Sequence, residues 1–335
     1  MSGLMSAGDA SLLFIVGTDQ PERLKVEGNR FSLGGTTDLY KLLGRNHPFH
    51  RLQVTPNYFR QAKQADLSSY THLLNLITEP EENSRVLENL RKLVRGLRAK
   101  VINHPDAVRR STRDQVAKRL AGTGGLLAPR AIRMRGARPG HAKTAIEQAG
   151  LSFPIIVRRI GTHTGRIVGL FASATDATAA LESDGEYIAT EFVDFASADG
   201  LYRKYRFFFI GKQLVFRHML ASDRWNVHAK DRARIMAERP DLIDEEKALF
   251  ARSDGAFPDD VHDTLRAVRD HMGLDFFGMD FGLLPDGRIL LFEANATMNF
   301  FPFLPDPRFE YVKRCEAPAR RALFELLDLP AVQPE

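Results

Sequence analysis

The residues most suited to chemistry in this sequence are two acids and an amide, Asp280, Glu293 and Asn295. They lie in one stretch, MDFGLLPDGRILLFEANATMN, at 279–299. Two apolar runs flank Asp286-Gly287, a dipeptide that favours a two-residue hairpin loop. Counting outward from that loop places Asp280 opposite Glu293 and Asn295 opposite Gly278. Pro285 lacks an N–H, so a four-residue loop is the alternative, with the same register. Strand alternation then puts Asp280, Glu293 and Asn295 on one face, left open by Gly278 and Gly282. Met279, Phe281, Phe292 and Ala294 fall on the core face. Two facing carboxylates repel. A divalent cation removes that repulsion, and two carboxylates with an amide oxygen are hard donors suited to Mg²⁺ or Mn²⁺ rather than zinc. The bland alternative is a pair of solvent-facing acids on a half-exposed sheet. The register, the neighbouring Asn and the small glycines favour the metal.

The elements that must position this hairpin can be traced along the chain. Residues 12–17 (LLFIVG) and 70–77 (YTHLLNLI) read as strands, and apolar residues from Ser84 to Leu97 recur at helical spacing. With the short strand in AKVINHPDAV, this order implies a small α/β unit with a parallel sheet. Ser111 or Thr112 caps a helix that stops before the glycines at 122, 124 and 125. SFPIIVRRIGTHTGRIVGLF reads as strand, glycine-flanked loop and strand, and EYIATEFVDF as a further strand. YRKYRFFFIGKQLVFRHML reads as a hairpin turning at Gly211-Lys212. Helices are expected over 259–272 and 309–327. No repeat or low-complexity segment interrupts this order.

The chain has 335 residues, 44% hydrophobic and 27% charged, enough for two or three compact units of ordinary soluble composition. No apolar run is long enough to span a bilayer. The first residues lack the basic start and cleavage site of a signal peptide. A single cysteine, Cys315, cannot form an internal disulfide, which suits a reducing compartment. A cytoplasmic location is therefore expected, with no membrane partner. The net charge of +5 admits an anionic ligand, but the basic residues are dispersed and no RNA-module signature is present. Nucleic acid is not an expected partner, and the sequence is compatible with a homo-oligomer.

The hairpin resembles the metal site of the ATP-grasp superfamily, where an Asp on one strand and a Glu-x-Asn on the next hold the metal. GMD and LFEAN match that pattern at Asp280, Glu293 and Asn295. VINHPDAV and TRDQVAKRLAGTGGLLAPR are similar to the segment opening the fold in glutathione synthetases and ribosomal-protein glutamate ligases. FPIIVRRIGTHTGRIV resembles the strand and loop covering the nucleotide phosphates, with Gly161, Thr162, His163, Thr164 and Gly165 as that loop. His163 is placed to touch the γ-phosphate or to be a solvent-exposed loop histidine. IATEFVD resembles the strand that meets adenine, at Glu191, Phe192 and Val193. Asp194 and Asp199 are candidates for the ribose. KYRFFFIGKQLV resembles the following strand with its arginine, which gives Arg206 with Lys204 on the same face. SDRWNVHAKD is similar to a Trp-Asn loop of the ribosomal-protein glutamate ligases, with different spacing. Its Arg224, His228 and Lys230 are candidates to line the acceptor or phosphate site.

The resemblance covers about residues 100–300 and implies ATP and Mg²⁺ (or Mn²⁺) as cofactors. Its fold is α/β, an α+β ATP-grasp fold of two subdomains (105–190 and 191–330) preceded by a small Rossmann-like α/β domain (1–104). The implied reaction joins a carboxylate and an amine through an acylphosphate, with a small molecule or peptide as substrate. Two family lysines are replaced, one by Arg158 in IIVRR and one by Gln115, with Arg113 and Lys118 nearby. Arginine keeps the charge but is not equivalent to lysine. Two alternatives follow: a kinase that phosphorylates a hydroxyl, and a nucleotide-binding module without turnover.

Overall fold

The computed structural model describes residues 11–20, 24–27, 30–33, 37–44, 47–61, 63–136, 138–160 and 167–330. The chain begins with β1 (Leu12–Gly17), a hairpin of β2 (Leu24–Glu27) and β3 (Arg30–Leu33), β4 (His50–Val54), β5 (His72–Asn75), α1 (Ser84–Leu93) and β6 (Lys100–Ile102). Four of these strands form a parallel sheet in the order β4-β1-β5-β6. The central strand β1 is buried along its whole length, as a parallel sheet covered on both faces requires. The sequence gives no clear signal for β4 because this edge strand, HRLQV, is mostly exposed and its composition is mixed.

The middle of the chain supplies α2 (Pro105–Arg109), α3 (Arg113–Leu120), β7 (Leu126–Leu127), β8 (Ala131–Arg135), α4 (Pro139–Gln148), β9 (Ile155–Arg159), β10 (Ile167–Phe171), α5 (Ala174–Ala179) and β11 (Glu186–Glu191). An antiparallel sheet forms in the order β10-β9-β11-β8. Its apolar face, including Met134, Ile155, Val157 and Tyr187, packs on Ala142 and Ile146 of α4 and on Ala174 and Ala177 of α5.

The last part consists of β12 (Tyr202–Ile210), β13 (Gln213–Ser222), α6 (Asp231–Arg234), α7 (Pro240–Leu249), α8 (Asp259–Met272), β14 (Phe276–Leu283), β15 (Ile289–Asn295) and α9 (Glu316–Leu326). Its sheet runs β13-β12-β14-β15-β7. The two residues of β7 therefore pair with β15 rather than with the sheet that follows them in sequence. One face carries a phenylalanine-rich core: Phe207, Phe209, Phe277 and Phe281 are fully buried, and the Phe209 and Phe277 rings stack at 4.3 Å. The helix expected over 309–327 is instead a 3₁₀ stretch, Pro307–Cys315, followed by α9. Pro318 explains the break. Its ring excludes an α-helical turn four residues earlier, and Pro is tolerated only in the first turn.

A single side chain makes several of the ties between the parallel sheet and the last sheet. Asn103, fully buried with φ 54°, follows β6 and reaches the start of β14. Its Oδ1 accepts from the N–H groups of Asp275 and Phe276, both at 2.9 Å, and its Nδ2 donates to the Phe276 carbonyl at 2.7 Å. Its own N–H donates to the Asp275 carboxylate at 2.7 Å, and Asn75 Nδ2 donates to its carbonyl at 2.9 Å. Removing the side chain strands two donors and an acceptor in the core, each costing about 1–3 kcal/mol. Asn103→Ala should lower the unfolding free energy by about 3 kcal/mol or more by urea denaturation.

Candidate active site

The expected register holds at the acids: Asp280 pairs with Glu293, and Gly278 with Asn295. It holds for a different reason. The loop has three residues, Pro285-Asp286-Gly287, closed by Gly287 N–H to Leu284 O at 2.9 Å and Leu284 N–H to Arg288 O at 2.9 Å. Gly287 takes the left-handed conformation, φ 85°, that such a loop requires. The odd loop shifts the strands by one, and a bulge at Phe292 shifts them back, since Phe281 pairs with Leu291. The bulge also corrects the expected faces. Phe292 turns to the Asp280 side, where it packs on Phe195 at 4.7 Å. The two glycines do not leave that face open. A Cβ on Gly282 would meet Phe292 at 2.9 Å, and one on Gly278 would meet the Met298 sulfur at 2.6 Å.

A second bulge lies between Arg206 and Phe207 of β12, opposite Arg217. Arg206 thus pairs with His218 on one side and Asp280 on the other, so a polar row, His218–Arg206–Asp280–Glu293, crosses four strands. Bulges recur beside functional sites because they re-aim side chains. Here both leave this row facing one way.

The two acids are neutralised by arginines. Asp280, 5% exposed, accepts from Arg206 Nε at 2.6 Å and Nη2 at 2.7 Å, with Lys204 Nζ at 3.3 Å. Burial pushes its carboxyl up, but Arg206 and Lys204 outweigh that and hold it well below the usual carboxylate range. Glu293 accepts a short bond from Arg113 of α3 and one from Asn295 Nδ2 at 3.2 Å. Arg113 also donates to the carbonyl of Phe292, the residue the bulge leaves without a ladder partner. Like-charge repulsion therefore does not by itself demand a metal. The donor set still fits Mg²⁺, because each carboxylate oxygen has lone pairs beyond those its arginine uses. Asn295 fits less directly: its Oδ1 already accepts from Thr297 N–H at 2.9 Å and Met298 N–H at 3.0 Å.

These residues stand in a cleft of about 500 Å³ bounded by the two antiparallel-rich sheets and a loop of the parallel-sheet unit. The β9–β11 wall contributes Ile156, Arg158, Ile188 and Thr190. The β12–β14–β15 wall contributes Lys204, Arg206, Asp280 and Glu293, and Glu79–Glu82 close the third side. Arg158 has no hydrogen-bonding or ion-pair partner among the described residues. Burial, then the nearby Arg113 charge, lowers its pKa to about 9, with Glu293 opposing.

Other expected residues are placed as follows. The loop Gly161, Thr162, His163, Thr164 and Gly165 lies outside the described residues. Phe192, Val193 and His228 line the cleft, and Phe192 meets Trp225 edge-on at 5.5 Å. Glu191 reaches the cleft, but its carboxylate is committed to Arg130 Nε at 2.9 Å and Ser152 N–H at 2.8 Å. Phe192 N–H donates to Pro154 O at 2.9 Å, which leaves Val193 with the uncommitted backbone. Asp199 is not on the cleft; it binds Arg203 at 2.8 and 2.9 Å. Gln115, Arg224 and Lys230 are exposed and lie off the lining. The cation that α3 sends into the cleft is Arg113, which sequence reasoning passed over. The signal was helical phase: Arg113 lies three residues before the buried Val116 and so faces the sheet, while Gln115 does not. The cleft wall at Glu79–Glu82 was also missed; its only signal was an acidic run just after a predicted strand.

No family model matches the sequence, and no curated protein matches it. Solved structures do match along nearly the whole chain. The VanG D-Ala:D-Ser ligase of Enterococcus faecalis superposes with a TM-score of 0.52 at 12% identity, over 96% of this chain and 99% of that one. The carboxyaminoimidazole ribonucleotide synthase of Aspergillus clavatus, complexed with ATP, gives 0.52 at 15% identity, over 96% and 78%. A RiPP-associated ATP-grasp ligase of Chryseobacterium gregarium, in complex with ADP and a leader and core peptide, gives 0.50 at 11% identity, over 96% and 98%. The three-part arrangement of sheets and its likeness to these structures show that the chain has the ATP-grasp fold.

Proposed function

We propose that the protein is an ATP-dependent ligase that joins a carboxylate to an amine through an acylphosphate. The observation that carries this reading is one cleft of about 500 Å³ lined by the polar row Arg206–Asp280–Glu293 and by Arg158, whose guanidinium has no partner among the described residues. That volume is in the range of small-molecule sites. The fold shared with ligases whose structures hold ATP or ADP supports the same reading.

In this reading adenine lies against Ile156, Ile188, Phe192 and Trp225, with the Val193 backbone offering it hydrogen bonds. Arg158 grips phosphate oxygens, for which a planar guanidinium is well shaped. Asp280 and Glu293 would hold Mg²⁺, with Asn295 orienting Glu293, and the metal would neutralise charge on the β- and γ-phosphates. Lys204 and Arg206, whose Nη1 has no partner among the described residues, meet the charge that develops as a substrate carboxylate oxygen attacks the γ-phosphorus and ADP leaves. The amine then attacks the acyl carbon, and phosphate departs. His228, on the rim, remains a candidate for the acceptor side. The acceptor carboxylate belongs to a small molecule or a peptide. The single, buried thiol of Cys315 suits a reducing, cytoplasmic setting. No described helix is long and apolar enough to cross a membrane.

Product analysis tests the reaction class. Turnover with pooled carboxylates and amines should release ADP and free phosphate in equal amounts. Phosphate retained on a hydroxyl of the product would instead establish the kinase alternative, and no turnover in any pool would favour the non-catalytic one. Arg158 gives a sharper test of the nucleotide site. Arg158→Ala should weaken ATP binding by about tenfold or more, the equivalent of 1.4 kcal/mol, in titration calorimetry. Arg158→Lys should retain most of the affinity. Equal binding by all three proteins would remove Arg158 from the phosphate site.

A further inference from the structure

The ligase reading leaves the third wall of the cleft unused. The loop after β5 carries Glu79, Glu81 and Glu82 at the carboxyl end of the parallel sheet, the edge at which open α/β sheets bind ligands. Glu81 is committed to Arg133, which also binds Asp114 at 2.8 Å. Three other acids of the cleft, Glu191, Asp280 and Glu293, are held by arginines. Glu79 has no cationic partner among the described residues. Its carboxylate meets only the backbone N–H of Glu81 and the Thr297 hydroxyl, 3.5 Å from Oε2. That hydroxyl is already spent as a donor, to the Thr78 carbonyl at 2.7 Å.

The cleft thus carries charge of both signs. Arg158 on β9 and Lys204 and Arg206 on β12 bring cations to the lining, and Glu79, on the loop of the parallel-sheet unit, brings a carboxylate with no cationic partner among the described residues. Burial pushes the Glu79 carboxyl up to about 7, and Glu81, Glu82 and Glu293 push the same way. A cation placed there would offset all of these contributions at once. A phosphate or carboxylate group would add a further negative charge beside Glu81, Glu82 and Glu293.

We propose that Glu79 recognises the amine co-substrate, binding an ammonium group by a charge-assisted hydrogen bond on the wall that the parallel-sheet unit supplies. This rests on the ligase reading for the identity of its ligand. It assigns the substrate class on that side of the cleft: an amine that carries a positive charge, such as an amino acid or its amide. Glu79 binds and orients the ammonium form; before attack the nitrogen loses one proton to solvent, and the neutral amine then forms the C–N bond as phosphate leaves. Glu81 and Arg133 hold the loop in place, since Arg133 joins it to β8 and α3.

The test uses the full chain, wild type, Glu79→Gln and Glu79→Asp, with glycinamide as the ammonium probe and N-acetylglycinamide as its neutral control. Melting midpoints are measured against probe concentration, with and without MgATP. Glycinamide should raise the wild-type midpoint while the acetylated control does not. Glu79→Gln should need about tenfold more glycinamide for the same shift, with Glu79→Asp in between and its ligand-free melting confirming a folded protein. The shift caused by MgATP should be the same in all three. Equal responses to glycinamide in wild type and Glu79→Gln, or none in the wild type, would overturn the proposal. A glycinamide response that depends on Glu79 in a protein MgATP fails to stabilise would uphold the ammonium site and overturn the ligase reading.

Discussion

Asp280 and Glu293 face each other on adjacent strands of a largely buried sheet, and the rest of the site is organised around that constraint. An unpaired carboxylate in such a place is costly, and two are more so. The protein compensates from two directions. From within the sheet, Lys204 and Arg206 reach Asp280 from the neighbouring strand β12. From outside it, α3 delivers Arg113 to Glu293. The second contact goes with the packing of α3 and the pairing of β7 against β15, although both precede the middle sheet in sequence. The arginine must arrive next to β15.

The same constraint accounts for the irregularities. A regular hairpin with a three-residue loop would bring Asp280 opposite Phe292 and turn Glu293 out of line. The bulge at Phe292 restores the pairing, and Arg113 satisfies the carbonyl that the bulge leaves over. The bulge at Arg217 does similar work on the other side. It brings His218 opposite Arg206 and so into the polar row, while Arg217 itself is turned onto the Phe303 ring at 4.2 Å and donates to the Phe300 carbonyl at 2.9 Å. The segment that follows the acids is thereby fastened over the sheet.

Much of this was legible in the sequence where the signal is local. The pairing of Asp280 with Glu293, the turn at Gly211 and the helix Asp259–Met272 with its left-handed Gly273 all follow from turn residues and periodicity. Some local signals were ambiguous. Asp286-Gly287 serves a three-residue loop as well as a two-residue one, so the right register was reached through an odd loop and a bulge that cancel. What was not legible depends on contacts far along the chain. Glu191 sits in the expected strand, but Arg130, 61 residues away, takes its carboxylate. Gln115 sits in the expected segment, but the phase of α3 aims Arg113 inward instead. The acidic loop at 79–82 becomes part of the cleft only when the parallel sheet docks, which Asn103, at the same carboxyl edge of that sheet, helps to secure.

The central claim is that Asp280 and Glu293, now neutralised by arginines, form the metal-dependent part of an ATP site. The most direct measurement is titration of ATP into the wild-type protein and into Glu293→Ala, each with and without Mg²⁺. The account predicts wild-type binding that Mg²⁺ strengthens, and a stabilisation of about 2.7 kcal/mol at a hundredfold excess over the dissociation constant. In Glu293→Ala the Mg²⁺ dependence should vanish while some metal-independent binding through Arg158 remains. Wild-type affinity that is indifferent to Mg²⁺, or a Mg²⁺ effect undiminished in Glu293→Ala, would contradict it.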